Sequence, residues 1–264
     1  MPTLTVAPDT HLHFETWGQG PPLVLLNGLS QSTANWMSQR RRLADRFQVI
    51  SYDARGQGRT PIGPTPLTLD VHTGDLGLLL DALSLPTATL CGFSFGARVG
   101  LGFTAAHPER VERLILTSLG AAPSALTETI LRGWYEVLIR GGQEAMVWCA
   151  LPHIFGERFL ARHKEQLGGM IRASLHRNTL EGLRALLEGH QGFPDIAGLA
   201  AQVDTPTLVI TADHDALVSP ASARALVSAL RHAEHLTVPD CGHTIPIEEP
   251  DVWRDAVVRF ITSA

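Results

Sequence analysis

The chain has 264 residues, a formal net charge of −5, 44% apolar residues and 18% charged ones, the profile of an ordinary globular protein with enough chain to bury a core. No stretch approaches the roughly 18 apolar residues of a membrane span, and the one basic cluster, Arg40-Arg41-Arg42, reads as a solvated helix face and not as a nucleic-acid footprint. Three scattered cysteines (Cys91, Cys149, Cys241) make no disulfide framework, and Met1-Pro2-Thr3-Leu4-Thr5 lacks the charged-then-apolar order of a signal peptide, so a reducing, cytoplasmic setting is expected.

Residues 3–17 alternate apolar and polar, which predicts strands at Leu4–Ala7 and His11–Thr16 joined by Pro8-Asp9-Thr10. Pro21-Pro22 breaks the chain. Leu23-Val24-Leu25-Leu26 follows as a continuous apolar run, typical of a strand buried on both faces, and ends in the loop Asn27-Gly28-Leu29-Ser30. A helix is expected over Ala34–Ala44, then a strand over Gln48–Tyr52 that ends at Asp53-Ala54-Arg55-Gly56-Gln57-Gly58-Arg59. Leu69–Leu83 carries apolar residues at helical spacing and is closed by Pro86. Ala88–Cys91 is strand-like, Ala97–Phe103 a helix rich in small residues stopped by Pro108, and Arg113–Thr117 a further strand. The alternation implies a parallel sheet with right-handed crossovers.

The rhythm then changes. Residues 120–203 hold no convincing strand and read as helices at about Leu126–Arg140, Gly142–Cys149, Glu157–Gln166, Met170–His176 and Thr179–Glu188. Strand and helix resume with Thr207–Thr211, Pro220–Leu230, His235–Val238 and Asp251–Ile261. The expected architecture is α/β, a mostly parallel sheet flanked by helices. Residues 1–119 and 204–264 form the core and residues 120–203 a helical cap inserted into it.

The chemistry centres on Gly92-Phe93-Ser94-Phe95-Gly96, a G-x-S-x-G between a strand and a helix. That context suits a nucleophile elbow, in which a strained turn raises the serine hydroxyl above the sheet edge. Residues 92 and 96 are glycines because a side chain there would meet the neighbouring strand or helix. A serine needs an adjacent base, and the base needs a partner that fixes its tautomer. In open α/β sheets such groups sit at the C-terminal ends of strands. His243 follows the strand ending at Val238, and Asp213 and Asp215 both follow the strand ending at Thr211, so either carboxylate could serve. Asp53 also lies at a strand end, but its D-x-R-G-x-G setting reads as a turn braced by an Asp and an Arg. Two backbone N–H groups, of Phe95 after the nucleophile and of Leu29 in the loop after Leu26, are the expected oxyanion donors. Gly28 would let that loop approach the substrate closely. His153, His163, His176 and His190 of the insert read as surface or packing residues. None of the 12 histidines forms a ligand pattern with carboxylate support, so no metal is expected.

Taken together, Asn27-Gly28-Leu29, Asp53-Ala54-Arg55-Gly56-Gln57-Gly58, Gly92-Phe93-Ser94-Phe95-Gly96, Ile210–Asp215 with Pro220 beyond, and Gly242-His243 with Glu248 and Pro250 resemble the α/β-hydrolase superfamily over essentially the whole chain. Within it the chain is most similar to small bacterial 3-oxoadipate enol-lactonases, non-haem perhydrolases and carboxylesterases. The resemblance maps the acid onto Asp215, three residues after the small Ala212 and five before Pro220. It implies a serine hydrolase acting through Ser94, His243 and Asp215 on a small ester, lactone or thioester, with no cofactor and no nucleic-acid or membrane partner. Its alternatives are C–C bond hydrolysis or perhydrolysis by the same triad, or a receptor that binds with little turnover. Asn27 stands where the family usually has His, and the serine at 94 departs from members whose nucleophile is an aspartate.

Overall fold

Among the described residues eight strands make one sheet in the order β1-β2-β4-β3-β5-β6-β7-β8. They are β1 (Thr3–Ala7), β2 (Thr10–Trp17), β3 (Pro22–Leu26), β4 (Gln48–Tyr52), β5 (Ala88–Phe93), β6 (Val111–Thr117), β7 (Thr207–Ala212) and β8 (Ala233–Val238). The protein is described by a computed structural model covering residues 3–190 and 193–263; Met1 and Pro2, on which the leader reading partly rests, lie outside the described residues. β1 and β2 pair antiparallel, as do β2 and β4, and every other pairing is parallel.

The unbroken apolar runs are explained by helices on both faces. Leu23 and Leu25 point into one layer with Cys91, Ile115, Leu208 and Ile210. There they meet α1 (Met37–Leu43) and α11 (Pro250–Thr262) through Leu43, Trp253 and Val257. Val24 and Leu26 point the other way with Leu90, Leu114 and Val209, against α2 (Leu69–Ala82) and α3 (Phe95–Ala106). The two-residue period of a strand thus serves two cores at once.

Between β6 and β7 the described residues hold no strand. They form α4 (Ala125–Ile154), α5 (Glu157–His163), α6 (Leu167–Leu175), α7 (Leu180–His190) and α8 (Ile196–Ala200). Within α4 the backbone leaves helical geometry at Gly142 (φ 79°, ψ −177°), a conformation cheap only for glycine, so this span is two helical stretches meeting at a kink where two helices were expected, the second running on to Ile154. Ile130, Trp134, Leu138, Met146, Leu183 and Leu187 give these helices an apolar core of their own, against which Leu29 and Leu217 of the sheet loops also pack. After β7 come α9 (Pro220–Ala229), and after β8 the short α10 (Ile245–Glu248). Neither α8 nor α10 is long enough to show a helical period, so both were invisible to pattern reading. No helix of the described residues is long and apolar enough to cross a membrane.

One buried group gives the fold an acid limit. His72 of α2 is 1% exposed and meets the Phe95 ring edge-on, and its Nε2 has no hydrogen-bond partner among the described residues. Burial, helped by the charge of Arg55, pushes its pKa down to about 4. Above about pH 6.5 the ring is neutral whether the chain is folded or not. As pH falls from there toward 4, only the unfolded chain takes up the proton, so stability is lost across that window. The gap is worth about 3 kcal/mol. Burial pushes the Asp53 and Asp75 carboxyls up, which acts in the opposite sense. The histidine part is therefore read as a difference: urea unfolding at pH 7 and pH 4.5 should show His72→Leu losing less of its stability on acidification than the parent. Equal losses would show that His72 does not set the limit.

Candidate active site

Ser94 closes β5 and caps α3 with φ 51° and ψ −111°, a strained conformation for a residue other than glycine. Its N–H donates to the Thr117 carbonyl at 2.8 Å, and its own carbonyl accepts from Arg98 N–H at 3.1 Å, so β6 and the first helical turn hold the strain. A Cβ at Gly92 would come within 2.4 Å of Ala97 Cα, and one at Gly96 within 2.3 Å of the Leu26 carbonyl oxygen. Both obstacles are backbone, which cannot swing aside.

His243 Nε2 lies 2.9 Å from Ser94 Oγ, and His243 Nδ1 lies 2.8 Å from Asp215 Oδ2. The second contact is buried, with the Asp215 side chain fully enclosed and that of His243 5% exposed. Asp215 Oδ1 accepts from the N–H groups of Leu217 and Val218, which pins the carboxylate and turns it toward the ring. Asp213, two residues earlier, is exposed. The sequence left both carboxylates open; the loop geometry brings only Asp215 to His243.

Asn27 carries the other wall. Its Nδ2 donates to the Tyr52 carbonyl at 2.8 Å, and its Oδ1 accepts from Trp36 Nε1 at 2.7 Å, so this loop is anchored by an amide. Among the described residues nothing accepts a hydrogen bond from the Leu29 or Phe95 N–H, and both residues line the cavity beside Ser94. Phe95 is the first residue of α3, where backbone N–H groups lack intrahelical partners. Gly28 has a more local reason than closeness to substrate: a Cβ there would sit 2.5 Å from the Phe93 ring. That ring in turn packs against His243, centroid to centroid 5.3 Å.

Ser94 and His243 open into a cavity of about 620 Å³, within the usual range for small-molecule sites. Its walls are mostly apolar, with Trp134, Met146 and Leu151 of α4, Ile171 of α6 and Leu183 of α7 facing Leu29 and Leu217 across the space.

A family model described as "alpha/beta hydrolase fold" matches residues 21–189, more than half of the chain. This chain belongs to the α/β-hydrolase family. A second model, described as "TAP-like protein", matches residues 191–264. The enol-lactonase of Burkholderia xenovorans LB400 superposes with a TM-score of 0.90 at 29% identity, covering 99% of this chain and 100% of that one. The Acinetobacter baylyi protein "3-oxoadipate enol-lactonase 2" is 28% identical over 97% of this chain and 94% of its own. The Agrobacterium fabrum protein "Putative carbamate hydrolase RutD" is 26% identical over 96% of this chain and 99% of its own.

Other hydrolase motifs find structural uses. Asp53 accepts from the N–H groups of Thr33 and Arg59, while Arg55 forms a two-pronged pair with Asp75, so the D-x-R-G-x-G turn is braced from two sides. His153 accepts from Trp134 Nε1. His190 belongs to the cavity wall, which its expected packing role did not include. The described residues hold no group of three or more His, Cys, Asp or Glu placed to bind a metal.

Glu248 was legible only as part of the family pattern, with no role attached. Its buried carboxylate accepts from the N–H groups of Gly156, Gly242 and Thr244, which flank His243 on one side and end α4 on the other. Glu248→Ala would orphan the buried N–H groups of Gly156 and Gly242, each worth about 1–3 kcal/mol, and leave Thr244 N–H only the Ile154 carbonyl. A thermal melt should fall by about 5–10 °C or more, and His243 should lose its alignment, so turnover should drop as well. A melt and turnover within error of the parent would show that water or a shifted loop replaces the carboxylate.

Proposed function

We propose that this hydrolase cleaves a small carboxylic ester, lactone or thioester through an acyl-enzyme. Ser94 is the nucleophile, His243 the general base and then the general acid, and Asp215 the group that orients His243 and stabilises its cationic form. The observation that carries this reading is the hydrogen-bonded line Asp215–His243–Ser94 opening on the floor of an apolar cavity.

His243 Nε2 takes the Ser94 proton as Oγ attacks the carbonyl carbon. The oxygen of the tetrahedral intermediate gathers negative charge and is met by the N–H groups of Leu29 and Phe95, with the α3 N-terminus adding its positive end. His243 gives the proton to the leaving alcohol or thiol. It then takes one from water, whose oxygen attacks the acyl carbon, and passes that proton to Ser94 Oγ as the acyl–Oγ bond breaks and the acid leaves. Every proton that leaves one group arrives at another, and no cofactor is called for. The helices of residues 120–203 act as a cap whose side chains select the acyl or leaving group. The cavity size favours an ester-like substrate with a sizeable apolar part over the bare carbamate group, which would leave most of the space unfilled.

Ser94→Ala should abolish turnover of short 4-nitrophenyl esters, by about 10⁶ in kcat, and should resist a fluorophosphonate probe that labels the parent. Near-parental activity in that variant would remove the reading, and a parent with no turnover or labelling would favour a receptor role. Asp215→Asn leaves shape but favours the wrong histidine tautomer, a defect of about 10⁴ in the serine-protease precedent. Asp213→Asn should stay within about tenfold of the parent, since the Asp213 side chain takes no part in the line. Circular dichroism and melting of both variants ensure that folded proteins are compared. A crippled Asp213 variant beside a healthy Asp215 variant would reverse the assignment.

A further inference from the structure

Arg98 lies one helical turn after Ser94 and is only 7% exposed, yet it lines the same cavity. Side chains of a helix lean toward its N-terminus, so a residue four places on covers the turn that carries Ser94. The guanidinium has five N–H groups and few acceptors. Nη2 donates to the Pro194 carbonyl at 3.0 Å, and Nη1 meets the His190 ring at 3.3–3.5 Å, long for a hydrogen bond. Nε has no partner among the described residues. No carboxylate among them lies within ion-pairing distance of the group. The acid that acts on it through space, Asp195, spends an oxygen capping α8 at Gly198.

A cation buried without a counter-ion is costly, and a protein keeps one where something else supplies the charge. The neighbouring His190 cannot. Burial, with the Arg98 charge added, pushes its pKa down to about 4, so it stands neutral beside the guanidinium at ordinary pH. Phe95, Leu119 and Ile196, apolar residues, line the same cavity. We propose that Arg98, with His190 beside it, is a subsite for a carboxylate carried by the substrate, so that the natural substrate is an acidic ester or lactone. This rests on the hydrolase reading above and narrows it. A single planar guanidinium matches one carboxylate in shape and charge, whereas a phosphate dianion would leave charge uncompensated in an apolar corner. The same residue also ties down the chain after α7, through Pro194 and the Phe193 ring, 5.2 Å from its carbon centre, so the test has to separate recognition from anchoring.

Ethanol release from monoethyl glutarate and from ethyl valerate gives that separation, because the acyl chains match in length and differ in charge. The parent should prefer the acidic ester in kcat/KM by tenfold or more, and Arg98→Gln should lower that preference about 10- to 100-fold, the worth of hydrogen bonds to a charged group. A parent without acid preference overturns the proposal. So does an Arg98→Gln variant in which both esters fall together, the signature of an anchor alone. So does a preference that vanishes in Arg177→Gln, the other arginine lining the cavity, while surviving in Arg98→Gln. A parent that cleaves neither ester counts against the hydrolase reading instead. The subsite is then decided by calorimetry of glutarate on Ser94→Ala, which should bind and should lose binding when Arg98→Gln is added. No heat from glutarate on folded Ser94→Ala overturns the subsite, and it does so even where the Arg98 variant fails to fold.

Discussion

The positive φ at Ser94 is the constraint on which the rest depends. It points the hydroxyl out of the sheet edge, but the conformation survives only because β3, β6 and α3 crowd around it. Gly92 lets Ala97 fit against the strand, and Gly96 lets α3 touch the Leu26 carbonyl. A parallel sheet covered on both faces is what delivers such crowding. The residues that hold the turn, and the strand ends that bring His243 and Asp215 to it, all lie on the same rim of that sheet.

Polar groups buried near that rim fall into two kinds. Asp215, Asp53 and Glu248 each accept two or more hydrogen bonds, mainly from backbone N–H groups, and so trade hydration for fixed donors. Arg55 and Asp75 neutralise one another. Arg98 and His72 do neither, and lie close to the elbow helix and its first residue. Groups left short of partners mark where a structure is under functional demand or electrostatic load, whereas the satisfied ones hold the scaffold together.

The sheet was readable because its inner strands, buried on both faces, leave continuous apolar runs and its first two strands alternate apolar and polar, so that all eight were legible within a residue or two. Two elements escaped for a physical reason: α8 and α10 are too short to repeat, whereas the break at Gly142 was legible because glycine alone tolerates that backbone. Ser94, Asp215 and His243 could be singled out because strand ends concentrate such groups, although choosing between Asp213 and Asp215 needed a family spacing. Arg98 carried no signal in the sequence. An arginine four residues past a serine looks like any helical cation until its surroundings are known to be closed.

The contacts around Glu248 also bear on how freely the insert could be exchanged. One carboxylate holds Gly156, just past the end of α4, and Gly242, next to His243, while Thr244 N–H donates to the Ile154 carbonyl. The insert is therefore not a detachable module hinged only at its two chain crossings; it is stitched at a third point into the loop beneath it. A transplanted insert would have to reproduce the backbone of Ile154–Gly156, whatever else it changed, or the imidazole would inherit a different seat. Drift among such proteins should then be free along the outer faces of these helices and narrow at this seam.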